Sequence, residues 1–389
     1  MTTLLADPVP PVPMLSSTAC VLHTRVITET GGGPDKTILN SPRFLVGTGY
    51  DAHCAYLHPP RDPGFDAIRR RAAAADAPLH GIPDRGAWDV SVAWKLLALC
   101  RRLHVRIWHG HDYKTNFLGL WLRRFHRMHL VTTIHGWNLT DRKSQLYYWI
   151  DRRCLPHYDR VICVSEDLQQ RALACGVLAD RCVLIENAID TAAFRRTLTP
   201  QQARQALGLP VDRPLIGAVG RLSYEKGFDL LIDAVGRLHR DGHEVHLAIA
   251  GDGDTRDALA TQIAAQPHPE RFHLLGFVPD PKTLFQAMDV YALSSRSEAL
   301  PNVLLEAMSL ETPVVAAAIA GIPRLVADGT NGLLVPPEDV AALHQALTTV
   351  LTQPDFRRQL AAEGRQTIVT RYDFAVRMAK VRAVYDSLC

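Results

Sequence analysis

Residues 215–227 have the sequence LIGAVGRLSYEKG, and this stretch decides the fold. Its first five residues are apolar and predict a buried strand, which a glycine ends at once. A polar turn follows and leads into an amphipathic segment. Residues 19–38 repeat this order, with an apolar strand, three consecutive glycines and a helix start. A strand that passes through a glycine turn into a helix is typical of the opening β/α unit of a doubly wound sheet.

Short apolar strands and amphipathic helices alternate outward from both stretches, which predicts an α/β fold with two doubly wound parallel sheets. The further predicted strands are 105–109, 130–135, 160–165, 183–186, 246–250, 272–275, 289–293, 313–317 and 332–335. A Pro-rich interruption near 199–214 separates the two series. We expect a Pro-rich tail at 1–17, domains at 18–205 and 206–373, and a C-terminal helix at 374–389 that returns to the first domain.

The composition is that of a globular protein, since 47% of the 389 residues are hydrophobic and 21% are charged. No apolar run approaches the roughly 18 residues of a membrane span. The first seventeen residues contain no Lys or Arg, whereas a signal peptide begins with a positively charged region. The eight cysteines form no CxxC pair, which favours free thiols in a reducing compartment. We expect a cytoplasmic protein, peripheral on the inner face of the membrane if it binds lipid.

The charge is uneven along the chain. Residues 1–200 hold 25 Lys and Arg against 18 Asp and Glu, an excess of seven, whereas the whole chain has a net charge of +3. Basic clusters at 69–71 and 123–127 could contact a lipid phosphate or a membrane surface. No zinc-finger spacing and no basic stretch interleaved with aromatic residues is present, so we expect no nucleic-acid partner.

Two motifs of the second series carry chemistry. Arg221 and Lys226 lie in the turn after the strand at 215–219, where a guanidinium group and an ammonium group suit a diphosphate. Glu298 precedes a helix predicted to begin near Pro301, and Glu306 falls in its second turn. Two carboxylates at this spacing are too far apart to share a proton but can bind two separate sets of hydroxyl groups.

Five motifs in order resemble the retaining glycosyltransferases of family 4, which have the GT-B fold of two Rossmann-like domains facing a central cleft. They are Gly220-Arg221 with Glu225-Lys226-Gly227, Ala250-Gly251-Asp252-Gly253, Leu275-Gly276-Phe277-Val278, Glu298 with Glu306, and Gly321-Ile322-Pro323 with Asp328-Gly329 and Asn331-Gly332. The resemblance spans essentially the whole chain. It implies an acceptor-binding N-terminal domain and a C-terminal domain that holds a nucleotide-sugar donor, a UDP- or GDP-sugar.

The resemblance also assigns roles to residues of the donor site. Arg221 and Lys226 would bind the diphosphate and stabilise its charge as the glycosidic bond breaks. Glu298 would bind sugar hydroxyls and Glu306 the ribose. The remaining donor contacts are expected from Gly31, Gly32, Gly33, Gly220, Gly251, Phe277, Val278, Ala299, Leu300 and Asn302.

Histidines follow two predicted strands of the first domain. His135 resembles the active-site histidine of the family, which lies near the donor sugar. We expect His109, His111, Asp112 and Lys114 to contact the acceptor. The first three of these have the composition of a metal site, but the family acts without a metal, so no metal and no other cofactor is expected.

The sequence therefore predicts a retaining, metal-independent hexosyltransferase that moves a sugar to an acceptor hydroxyl, in polysaccharide or glycolipid biosynthesis. The acceptor would be a sugar or a lipid-linked sugar. Two alternatives stay open: a nucleotide-sugar 2-epimerase of the same fold, and a non-catalytic subunit that binds a sugar nucleotide.

Overall fold

A computed structural model of the chain describes residues 18–27, 31–86, 89–136, 142–298 and 300–389, and the side chains of 142–144 are not described. The predicted tail at 1–17 lies outside these residues. The strands are β1 (Ala19–Val26), β2 (Tyr50–His58), β3 (Leu79–Pro83), β4 (Val105–Gly110), β5 (His129–Ile134), β6 (Arg160–Cys163), β7 (Cys182–Leu184), β8 (Leu215–Val219), β9 (His246–Ala250), β10 (Phe272–Gly276), β11 (Val290–Leu293), β12 (Val314–Ala317) and β13 (Leu333–Val335).

Helices connect most of these strands. They are α1 (Gly33–Asn40), α2 (Gly64–Ala74), α3 (Val90–Arg102), α4 (Tyr113–Leu122), α5 (Arg142–Cys154), α6 (Glu166–Ala174), α7 (Pro200–Leu207), α8 (Phe228–Arg240), α9 (Arg256–Ala264), α10 (Lys282–Ala287), α11 (Asn302–Ser309), α12 (Ile322–Leu325), α13 (Val340–Thr352), α14 (Pro354–Arg371) and α15 (Phe374–Asp386). Among the described parts of the chain, no helix is both long enough and apolar enough to cross a lipid bilayer.

The strands form two sheets whose order places a reversal in the middle of each. One sheet has the order β3-β2-β1-β4-β5-β6-β7 and the other β10-β9-β8-β11-β12-β13. The pairs β1–β2, β1–β4, β8–β9 and β8–β11 are all parallel. This order is that of a doubly wound sheet, so the predicted fold class is confirmed. Ligands of such sheets bind where the strand order reverses, at the carboxyl ends of β1 and β4 or of β8 and β11.

The chain divides into two compact units that interleave in sequence. The first comprises the described residues up to Ile162, with Ala174–Cys182 and Val384–Cys389, and the second comprises Cys163–Leu173 and the described residues of Val183–Ala383.

The second unit buries both faces of its sheet, which explains why its strands are continuous apolar runs. Successive side chains of a strand point to opposite faces. Thus Leu215 packs in one hydrophobic core, with residues of α10, α11 and α14, whereas Ile216 packs in another, with residues of α8, α9 and α13. Replacing a fully buried leucine of either core by alanine typically costs about 2–5 kcal/mol.

The first unit has a core of its own beneath the glycine loop. Ile27 at the end of β1 packs with Ile38 of α1, with Tyr56 of β2, and with Phe65 and Ile68 of α2. All eight cysteines of the chain are free thiols, and six of them are buried, as predicted.

Candidate functional site

The carboxyl ends of β8 and β11 bring Lys226 and Glu298 together. The Nζ of Lys226 donates to Oε1 of Glu298 at 2.5 Å, and the hydroxyl of Ser295 donates to the same oxygen at 2.9 Å. The side chains keep 20% and 11% of their surface exposed, so both can be reached from solvent. The sequence placed these residues in separate motifs. The structure joins a cation and a carboxylate at the point where a doubly wound sheet binds ligands.

Gly227 fixes the position of Lys226. It has a φ of 60°, and a Cβ atom there would lie 2.1 Å from the carbonyl oxygen of Ser294, at the end of β11. The hydroxyl of Ser294 donates to the carbonyl oxygen of Gly227 at 2.7 Å. Only a residue without a side chain fits this contact, so the turn that carries Lys226 lies directly against the loop that carries Glu298.

A second close approach fixes the start of the same turn. Gly251 donates its backbone N–H to Gly276, and a Cβ atom on Gly251 would lie 1.7 Å from the carbonyl oxygen of Gly220. The backbone N–H of Leu222 donates to the carbonyl oxygen of Asp252 at 2.9 Å. Arg221, between these contacts, has an exposed side chain. The two glycine turns therefore hold its backbone rigidly and leave its side chain accessible.

The other predicted donor residues lie along the same sheet edge with different accessibility. Glu306 is buried in the second turn of α11, whereas Asn302, the first residue of that helix, is half-buried. Burial and the carboxylates of Glu298 and Glu306 raise the pKa of Tyr291. Both carboxylates thus act electrostatically on the same buried tyrosine.

Three further predicted donor residues differ in exposure, and a fourth is not described. Phe277 follows β10 and is 68% exposed, Val278 is half-buried and Leu300 is buried. Ala299 lies outside the described residues. Phe277 can therefore meet a ligand with its ring, whereas Leu300 packs in the core.

Arg296 was not found from the sequence, yet it ties this site together. Its guanidinium group donates to both carboxylate oxygens of Asp229 at 2.8 and 2.6 Å and to Glu338 at 2.9 Å, and these bonds raise the pKa of Arg296. It also donates to the carbonyl oxygen of Tyr224 at 3.0 Å and lies 4.2 Å from that ring. Its backbone N–H donates to the carbonyl oxygen of Glu225. Arg296 therefore fastens the loop after β11 to the turn after β8.

The glycine loop of the first unit follows β1. Gly31 has a φ of 74°, and a Cβ atom on it would lie 2.7 Å from a carboxylate oxygen of Asp35. Asp35 is fully buried, accepts the backbone N–H of Gly32 at 2.7 Å and pairs with Arg25 at 2.8 Å. A Cβ atom on Gly32 would meet nothing closer than 3.9 Å, and Gly33 begins α1. The fold therefore requires Gly31, whereas Gly32 leaves space beside its backbone.

Four imidazole rings form a cluster on or directly after the neighbouring strands β1, β4 and β5. The Nδ1 of His23 and Nε2 of His111 are 3.0 Å apart, as are Nδ1 of His111 and Nε2 of His135. His109 stacks on His111 with ring centroids 4.5 Å apart. Burial and the neighbouring rings of His109, His135 and His23 lower the pKa of His111, which is therefore neutral at pH 7. The structure thus unites His109, His111 and His135 and adds His23, which strand pairing of β1 with β4 places opposite His109.

The contacts of these histidines bear on metal binding. Donor atoms of His23, His109 and His111 lie within 4.8 Å of one another, close enough to hold an ion. However, Nε2 of His109 is hydrogen-bonded to Thr133 at 2.8 Å and Nδ1 to Tyr385 at 2.6 Å. Both ring nitrogens of His109 are therefore hydrogen-bonded to protein groups, and an ion could bind His109 only by displacing one of these partners.

Asp112 and Lys114 are held by protein groups at the start of α4. One oxygen of Asp112 accepts the backbone N–H groups of Lys114 and Thr115, and the other accepts that of Val26 at 2.6 Å. Burial raises the pKa of Asp112. The Nζ of Lys114 donates to Asp84 at 2.6 Å, and its side chain is 13% exposed. Asp112 thus caps the helix and anchors β1, while Lys114 keeps a small accessible surface.

Comparison with known families gives two matches that together cover most of the chain. The family described as "Glycosyltransferase Family 4" matches residues 31–193, and the family described as "Glycosyl transferases group 1" matches residues 200–367. The first match contains Gly31 to Gly33 and three of the four histidines, His109, His111 and His135, and the second contains Lys226 and Glu298.

Individual relatives agree with these matches. An uncharacterized glycosyltransferase of Methanocaldococcus jannaschii is 28% identical over 68% of this chain and 71% of its own length. A lipopolysaccharide core biosynthesis glycosyltransferase of Rhizobium meliloti is 34% identical over 43% of this chain, which spans about half (48%) of that relative. The crystal structure of Anabaena HepE in complex with UDP superposes with a TM-score of 0.79 at 21% identity, over 95% of this chain and all of that one. That likeness shows a shared GT-B fold.

Proposed function

Because the chain belongs to glycosyltransferase family 4, we propose that it moves a sugar from a nucleotide-sugar donor to an acceptor hydroxyl, with retention of the anomeric configuration. The observation that carries the proposal is the contact between Lys226 and Glu298 at the switch point of the second sheet, with Arg221 exposed in the same turn. A sugar diphosphate has negatively charged phosphates at one end, which a cation binds, and sugar hydroxyl groups at the other end, which a carboxylate binds.

The proposed mechanism assigns charge stabilisation to the turn after β8. Arg221 and Lys226 bind the diphosphate, so its negative charge is stabilised as the bond to the sugar breaks. Glu298 accepts hydrogen bonds from sugar hydroxyls, and the buried Glu306 accepts them from the ribose. The departing phosphate takes the proton of the acceptor hydroxyl, which attacks from the face that the phosphate leaves. Retention follows from that geometry.

The donor is proposed to be a UDP-sugar. The support is the exposed ring of Phe277 beside the β10 edge and the binding of UDP by HepE, a protein of the same fold. Lipopolysaccharide core biosynthesis by one relative supports a sugar or lipid-linked sugar as acceptor. The first unit carries the basic clusters and is the proposed acceptor side.

We expect UDP to raise the melting temperature of the protein. A ligand at 100 times its dissociation constant stabilises the folded state by about 2.7 kcal/mol. Thermal unfolding should be followed with UDP, GDP, ADP and uridine in parallel. Uridine is the matched control, because it lacks the diphosphate that Arg221 and Lys226 would bind, and it should give a smaller shift. If none of the diphosphates shifts the transition, the donor proposal fails.

We expect glycosyl transfer to continue in excess EDTA. The physical reason is that Arg221 and Lys226 supply the positive charge that a divalent cation supplies elsewhere. Turnover with and without EDTA gives the answer. Loss of turnover in EDTA that Mg²⁺ or Mn²⁺ restores would contradict this expectation and make His23, His109 and His111 candidate ligands.

Incubation with donor alone separates transfer from the epimerase alternative. An epimerase converts the sugar nucleotide without an acceptor, whereas the proposed enzyme consumes donor only when an acceptor hydroxyl is supplied. A protein that binds donor but consumes it under neither condition would be the non-catalytic subunit.

A further inference from the structure

A groove in the first unit lies between α4 and α5. Its volume is about 990 Å³, comparable to the roughly 300–1,000 Å³ of small-molecule pockets. Large apolar side chains from both helices line it: Phe117 and Trp121 from α4, and Leu146, Trp149 and Ile150 from α5. The groove plays no part in the proposed chemistry of the donor.

The apolar side chains in the groove are unusually accessible. Phe117, Leu146 and Trp149 are 53%, 56% and 54% exposed. Single exposed apolar residues are common on protein surfaces, but a contiguous group in a concavity marks a binding site. Tyr113 and Tyr147 stack face to face, 4.4 Å apart, and join the two helices at one end. This stacking contact holds the two helices together, and the exposed apolar side chains remain accessible to a ligand.

The charged residues of the groove are mainly cations. Arg85, Lys114, Arg124 and Arg153 line it, and Asp84 is the one carboxylate among its described lining residues. Asp84 is paired with Lys114 at 2.6 Å, which leaves three guanidinium groups with no carboxylate partner in the lining. The guanidinium carbon of Arg153 lies 4.6 Å from the ring of Trp149. An occupant with an apolar body and an anionic group fits this surface.

One end of the groove reaches the glycine loop. Val26 and Ile27, the last described residues before that loop, line it together with Lys114. Arg124 lies beyond the other end of α4, a helix of ten residues and thus about 15 Å long. The Nζ of Lys114 also donates to the carbonyl oxygen of Gly86 at 2.8 Å, which places Arg85 at the end beside the glycine loop. A chain that lies along α4 therefore has a guanidinium group near each of its ends.

We propose that this groove binds the hydrocarbon chain of an anionic, phosphate-bearing lipid that carries the acceptor sugar. The apolar walls hold the chain along α4, and the guanidinium group of Arg85 holds the phosphate at the end beside the glycine loop. The sugar, which the phosphate links to the chain, lies beyond the phosphate at that loop. This inference rests on the proposed function and specifies its acceptor. A nucleic acid would need the cations without the apolar floor, and a protein partner would need a broad surface rather than a groove.

The test is calorimetric titration of the 389-residue chain with decyl phosphate below the concentration at which decyl phosphate aggregates. We expect saturable binding that Phe117→Asp and Leu146→Asp each weaken at least tenfold, because a carboxylate in the groove repels the phosphate and interrupts the apolar wall. Both positions are more than half exposed, so folding should persist. Val46→Asp is the matched control, since Val46 is an exposed apolar residue of the same unit outside the groove, and it should bind like the wild type.

Three outcomes would overturn the proposal: the protein does not bind decyl phosphate, the groove variants bind it as tightly as the Val46→Asp control does, or inorganic phosphate binds the protein as tightly as decyl phosphate. In the first case, binding to anionic vesicles would indicate contact with a membrane surface instead. The melting shift given by UDP in the same preparations reports on the donor site alone, so a failure of this proposal is distinct from a failure of the proposed function.

Discussion

Replacing Lys226 by alanine is expected to lower turnover by about 10²–10³-fold, in line with the loss of a single charge-stabilising donor in other enzymes. In the free protein the ammonium group is paired with Glu298 at 2.5 Å. A bound diphosphate competes with that carboxylate for the cation, and the interaction strengthens as charge develops on the leaving phosphate. The measurement is the initial rate at saturating donor.

Lys282→Ala is the matched control, because it removes a lysine of the same unit that lies over the ring of Phe194 and is not among the predicted donor contacts. It should keep the wild-type rate. A Lys226→Ala protein that turns over like the wild type at saturating donor would remove this residue from the phosphate site. Unfolding of both variants in urea shows whether any loss comes from stability.

Gly227→Ala is expected to lose several kcal/mol of stability and about 100-fold in turnover, whereas Gly208→Ala should lose about 1–2 kcal/mol and keep its turnover. The two glycines have nearly the same backbone, with φ of 60° and 65°, which costs an alanine about 1–2 kcal/mol. A Cβ atom on Gly208 has open space, but one on Gly227 meets the backbone of Ser294. Overpacking adds roughly 1–3 kcal/mol, and misplacing a catalytic group by about 1 Å can cost 10²-fold.

Denaturant titration and rate measurements on the two variants check this expectation. The difference between them isolates the contact with Ser294 from the backbone conformation, because only the contact differs. Equal free energies of unfolding of the Gly227→Ala and Gly208→Ala proteins would show that the loop after β11 moves away from the new Cβ atom at little cost. Turnover of Gly227→Ala at the wild-type level would show that the position of Lys226 does not depend on that contact.

The strands that the sequence predicted well are those buried on both faces. The bounds of β8 and β9 agree with the prediction residue by residue, because each is an apolar run ended by glycine. The sequence analysis assigned no strand to β2 or β3. In β2, Asp51 and His53 interrupt the apolar pattern, and in β3 only Ile82 is buried. The position of β2 is set by its pairing with β1, and that of β3 by its pairing with β2, and the local sequence pattern contains neither.

The candidate site was predictable as motifs but not as contacts. Lys226 and Glu298 are 72 residues apart, and only the adjacency of β8 and β11 makes them neighbours. His23 belongs to the imidazole cluster because β1 pairs with β4, a strand that follows it only after a crossover connection. Arg296 lies two residues before Glu298 but outside that motif, and its partner Asp229 is 67 residues earlier in the chain, so no local signal marked it.

The hydroxyl of Tyr385 has a consequence for the order in which the units are completed. It is hydrogen-bonded to His109, which lies 276 residues earlier, and Asp386 accepts the hydroxyl of Tyr50, which lies 336 residues earlier. Synthesis on the ribosome starts at the N-terminus, so β1 to β5 emerge long before Tyr385 and Asp386 are made. His109 and Tyr50 therefore form these hydrogen bonds only after the second unit, which extends to Ala383, has been synthesised. The unit whose synthesis begins first is thus completed after the other.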